Sequence, residues 1–116
     1  MSDSFQGVNK IIVQPGSATV PYTFTFAACS SATANDGSIP FGTTISSAVV
    51  KAFDEAGTDS TAVLISAQSV ASPVVTVSLK YPTTAGRYSL EFVLTLSSAA
   101  VMEFDFTRLY AEDIAA

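Results

Sequence analysis

The segments RYSLEFVLTL (residues 87–96), SSAA (97–100) and VMEFDFTRL (101–109) decide how this chain folds. Tyr88, Leu90, Phe92, Leu94 and Leu96 alternate with Arg87, Ser89, Glu91, Val93 and Thr95. Successive side chains of a strand point to opposite faces, so this pattern predicts a strand with one buried face. Met102, Phe104 and Phe106 alternate with Glu103, Asp105 and Thr107 in the same way. The two strands form a hairpin, and two registers keep their apolar faces aligned. Leu94 opposite Met102 sets Glu91 against Asp105, which opposes like charges. Leu94 opposite Phe104 avoids that contact and puts Phe92 opposite Phe106 and Glu91 opposite Thr107. The second register is the expected one.

Five further strands are predicted upstream, at residues 8–14, 20–27, 45–53, 62–66 and 74–81. In the second, Val20, Tyr22, Phe24 and Phe26 alternate with Pro21, Thr23 and Thr25. Pro21 cannot donate to a ladder, so it marks a sheet edge or a strand end. The third strand is ambiguous: if Ala48, Val50 and Ala52 face inward, Val49 and Phe53 lie on the outer face. In the fifth, Val75, Val77, Leu79 and Tyr81 face inward. Clusters of Gly, Pro, Asn, Asp and Ser separate the strands, among them Asn35-Asp36-Gly37-Ser38 and Pro40-Phe41-Gly42. About seven short strands at this spacing predict an all-β fold, an immunoglobulin-like antiparallel β-sandwich. An antiparallel barrel is the alternative. The sandwich is expected over residues 8–109, with an N-terminal arm at 1–7 and a C-terminal tail at 110–116.

Composition narrows the function. Hydrophobic residues make up 48% of the 116 and charged residues 13%, against about 25% charged in a typical soluble domain. There is no His, no Trp and a single Cys. Histidine acid–base chemistry, His-ligated zinc, the Ser-His-Asp and Cys-His arrangements and an internal disulfide are therefore excluded. The net charge is −5 and the five basic residues are scattered. Duplex nucleic acid as a direct partner is not expected, because phosphate contacts need clustered Lys and Arg. The first residues have neither the basic start nor the apolar core of a signal peptide. No run approaches the roughly 18 apolar residues of a membrane-spanning helix. The reading is a cytoplasmically made protein with no membrane partner and Cys29 as a reduced, buried thiol.

Candidate chemistry is weak. Asp54, Glu55 and Asp59 match no calcium-loop spacing and read as a solvated turn. Glu91, Glu103 and Asp105 form a carboxylate group on an outer face, where paired-carboxylate chemistry would lack a cleft. The expectation is no catalytic residue, no metal and no cofactor. Partner contacts are the better candidate. The outward Val93, Val101 and Leu109, the loop residue Phe41, Phe5 of the N-terminal arm, and Tyr110 and Ile114 of the tail are the expected interface residues.

Three segments carry a resemblance. These are residues 10–26 (strand, polar turn, aromatic-alternating strand), residues 36–48 (DGSIP, then TISSA), and residues 75–88 (VTVSL, then TAGRY). Together they resemble the small Ig-like structural proteins of tailed bacteriophages, of the neck or fiber-tail adaptor type, over about residues 8–109. The resemblance implies a non-enzymatic virion component, made in the host bacterial cytoplasm. It would assemble as a homo-oligomer or ring against neck, tail, fiber or capsid proteins. The alternative is a carbohydrate- or receptor-binding β-sandwich of a fiber or adhesin, which would need exposed aromatic platforms.

Overall fold

The computed structural model describes residues 11–13, 19–82 and 84–111. The elements are β1 (Ile11–Val13), β2 (Val20–Thr25), β3 (Ile45–Asp54), a helical turn α1 (Thr61–Leu64), β4 (Ile65–Ala71), β5 (Val74–Leu79), β6 (Gly86–Leu96) and β7 (Val101–Ala111). They form a four-stranded sheet in the order β1-β7-β6-β3 and a three-stranded sheet in the order β2-β5-β4. All pairs are antiparallel except β1 with β7. The chain is an all-β sandwich with the immunoglobulin strand arrangement, its first strand joined to the sheet of the last.

The alternating faces meet between the sheets. Phe24 of β2 and Phe26, just past its end, project from one sheet, and Phe92 of β6 and Phe104 and Phe106 of β7 from the other. The ring centroids of Phe24 lie 4.7 Å from Phe92 and 5.4 Å from Phe106. Those of Phe26 lie 5.3 Å from Phe92 and 5.0 Å from Phe104. All four contacts are tilted or edge-on, the geometry aromatic quadrupoles favour. This cluster occupies the middle of the core, which antibody domains fill with a disulfide and a Trp. Val75, Val77 and Leu79 of β5 and Leu90, Leu94 and Leu96 of β6 fill the space around it.

A second immunoglobulin mark lies at the start of β6. The Tyr88 hydroxyl donates to the Thr84 carbonyl at 2.6 Å, the tyrosine corner of such sandwiches. Burial raises the hydroxyl's pKa above its ordinary 10.0, with the charges of Asp54 and Tyr81 adding to the shift. The phenol therefore stays protonated and keeps donating.

Several expectations are corrected. The β6–β7 register is the one with Leu94 opposite Met102, Phe92 opposite Phe104 and Glu91 opposite Asp105. The turn decides it. Ala99 adopts φ 72°, its N–H reaches the Leu96 carbonyl, and the Leu96 N–H reaches the Ala100 carbonyl, both at 2.8 Å. This closes the hairpin over residues 97–99, whereas the expected register would centre the turn one residue later, over 98–100. The opposed carboxylates are a minor penalty, about 0.2–1 kcal/mol. They lie on the outer face, and Lys51 stands opposite Glu91 on its other side.

Leu109 is buried rather than outward. A bulge between the Tyr88 and Leu90 pairings leaves Thr107 and Arg108 both exposed. The extra residue reverses the phase of the strand beyond it. β7 also continues to Ala111, past the expected end at 109. The expected strand at 62–66 is instead α1 followed by β4. Val20, in phase with the buried Phe24, is exposed at the strand end. Pro21 does lie on an edge strand, opposite Ser78. Of the predicted first strand, residues 8–10 and 14 fall outside the described residues.

Gly37 is buried where an added Cβ would lie 2.6 Å from backbone atoms of Ala27, Ala28 and Cys29. That close approach lets the loop bridge Ala28 to Ile39. Chemical denaturation should show Phe92→Ala costing about 3–5 kcal/mol, whereas Phe41→Ala should stay within about 0.5 kcal/mol of wild type. Equal losses at both positions would contradict the assigned core.

Candidate functional site

The outer face of the four-stranded sheet carries the candidate contact residues. Its cross-strand rows run Ser47–Thr95–Val101, Val49–Val93–Glu103 and Lys51–Glu91–Asp105. Val49 and Val93 are therefore direct neighbours, and Val101 sits one row away. Val101 is 59% exposed and Val49 51%, while Val93 between them is half-buried. Val49 was not among the expected interface residues. Its signal in the sequence is its place beside Lys51, on the outer phase of the third strand.

Phe41 joins this end of the molecule and is 54% exposed. The Thr43 N–H and hydroxyl both donate to the Pro40 carbonyl, at 3.2 and 2.6 Å, and Gly42 takes φ +79°. The Thr44 N–H donates to Ser97 Oγ at 3.1 Å, and the Ser97 N–H returns to the Thr44 carbonyl at 2.8 Å. These bonds set the Phe41 loop beside the 97–100 turn, next to the start of β7 at Val101. Phe41, Val93 and Val101 are thus brought to one end. Tyr110 is at the other, half-buried opposite Arg87 and Ile12. Leu109 is in the core. Phe5 and Ile114 lie outside the described residues.

Upstream of Phe41, Asp36 folds the connection. Its carboxylate accepts from the Ser30 N–H at 2.9 Å and the Ser30 hydroxyl at 2.7 Å. These bonds, the hydroxyl's first, hold the Asp36 carboxyl below its ordinary 3.8. Cys29 on the same connection is half-buried rather than fully buried.

The acidic loop at the far end is held by its own backbone. Asp54 Oδ1 accepts from the Ala56 and Thr58 N–H groups, both at 2.9 Å. Asp59 Oδ1 accepts from the Thr61 N–H at 2.9 Å. Among the described residues, no group of three or more His, Cys, Asp or Glu is placed to hold a metal ion. A shallow hollow of about 260 Å³ lies between Asp54, Glu55, Arg87, Tyr88, Ser89 and Thr107. Arg87 Nε donates there to the Thr107 carbonyl at 3.2 Å, and the Tyr88 hydroxyl is committed to Thr84. Among the described residues, no helix is long and apolar enough to cross a membrane.

No known protein family and no curated protein matches the chain.

The lowered Asp36 pKa gives a prediction with a definite sign. A depressed carboxylate contributes stability that is present above its unfolded value and lost as pH falls through the folded one. Asp36→Ala should therefore melt below wild type at pH 7, and the gap should close as pH drops below 3.8. A gap that stays constant from pH 7 to pH 2 would remove the carboxylate from the account.

Proposed function

We propose that the chain is a non-enzymatic structural component of a bacteriophage virion, a neck, tail or fiber adaptor module. It assembles in several copies through protein–protein contacts. The observation that carries the assembly part is the adjacency of exposed Val49 to Val93, with exposed Val101 one row away, at the end of the sandwich where Phe41 is also exposed. Burying a valine or phenylalanine side chain fully is worth about 1.5–3 kcal/mol, so such a cluster favours a protein neighbour. Repetition around a ring multiplies that gain, because each added contact becomes intramolecular. The bacteriophage part is supported by the resemblance of residues 10–26, 36–48 and 75–88 to the Ig-like adaptor proteins. The chain's five scattered basic residues and missing His also suit an adhesive rather than a chemical role.

Native mass spectrometry of the purified chain, alone and with neck, tail, fiber and capsid proteins, tests this reading. Wild type should form a defined multimer or a complex with one of those proteins. Val49→Lys combined with Val101→Lys should keep its melting temperature within a few degrees and weaken the association at least about tenfold. A strictly monomeric chain that binds a glycan and none of those proteins would overturn the proposal.

A further inference from the structure

β3 is an outer strand of the four-stranded sheet. Edge strands present unpaired N–H and C=O groups on which another chain can add. Here three side chains from the opposite sheet's side of the molecule close that edge. The Val50 N–H donates to Gln68 Oε1 at 2.8 Å, and Gln68 Nε2 donates to the Val50 carbonyl at 3.0 Å. The primary amide of Gln68, on β4, thus reproduces both bonds that a neighbouring strand would make. The Ala52 N–H donates to Thr61 Oγ1 at 3.0 Å, and the Ala52 carbonyl accepts the Ser60 N–H at 2.7 Å. The Ile45 N–H donates to Ser72 Oγ at 3.0 Å.

We infer that the β3 edge is a latent strand-addition surface for a second copy of this chain, held shut by Gln68. The occupant follows from the strand's own sequence. An antiparallel pairing centred on Ala48 sets Ala48 against the second copy's Ala48 and Val50 against the second copy's Ser46. Val49 then faces the second copy's Ser47, and no like charges are opposed. β3 carries one charge, Lys51, before its terminal Asp54, so charge alone protects it little. Pairing beyond Val50 is blocked by Thr61 and Ser60 on Ala52, which limits the addition to residues 46–50, of which Gln68 holds Val50. This inference is independent of the virion reading, since it concerns an edge rather than the apolar end.

Gln68→Met keeps the length of the side chain and removes both bonds to Val50. Light scattering over a concentration series, with wild type at matched concentrations, reads the outcome. Self-association through the apolar end is common to both proteins and cancels. The variant's weight-average mass should climb toward twice that of wild type, and adding Ala48→Pro, which denies the edge a donor, should return it to the wild-type value. Gln68→Ala should behave like Gln68→Met. A folded variant that matches wild type in mass throughout would overturn the inference. So would failure of both Gln68 variants to fold, because that would make Gln68 a structural support instead of a guard.

Discussion

The contact on which the molecule depends is the meeting of Phe24 and Phe26 with Phe92, Phe104 and Phe106 across the gap between the sheets. Each sheet alone has one apolar face that must be covered. The ring contacts are worth about 0.5–1.5 kcal/mol each beyond the area they bury. They also set alignment, because Phe92 touches the rings of both Phe24 and Phe26 and stands opposite Phe104 in its own sheet. With that point held, the alternation on β2, β5, β6 and β7 leaves an inner apolar face and an outer mixed one.

Much of this was legible in the residue pattern. The period-two runs of β5 and β6 placed Val75, Val77, Leu79, Leu90, Phe92, Leu94 and Leu96 inside, where they are buried. What was not legible depended on single-residue backbone events. The hairpin register turned on Ala99 adopting a left-handed φ, a conformation that a non-glycine residue does not announce. The bulge at Thr107 and Arg108 inverted Leu109, and no composition signal marks it. The region 61–66 is rich in β-branched and aliphatic residues. It nevertheless opens with a helical turn, because the Asp59 carboxylate takes the Thr61 N–H and the Ser60 carbonyl takes the Val63 and Leu64 N–H groups.

The same constraint organises the surface. With the phenylalanine side chains of β2, β6 and β7 drawn inward, the large exposed apolar residues of the four-stranded sheet are Val49 and Val101. The Thr44–Ser97 bonds bring Phe41 to the same end. Val93 and Val101 were legible as outward residues, whereas their adjacency to Val49 required the β3–β6 register. The edge closure by Gln68 was hidden for a similar reason. It depends on β4 lying beside β3 across the sandwich, a relation that no local pattern encodes. The protein thus leaves apolar residues exposed at one end and a strand edge closed.

Five phenylalanines pin the two sheets in these registers. Through-space proton contacts in solution NMR of the isotope-labelled chain test it most directly. Ring contacts are expected from Phe24 to Phe92 and Phe106 and from Phe26 to Phe92 and Phe104, with backbone contacts across the Leu94–Met102 pair. Backbone contacts between Leu94 and Phe104, or the absence of ring contacts between β2 and β6, would contradict it.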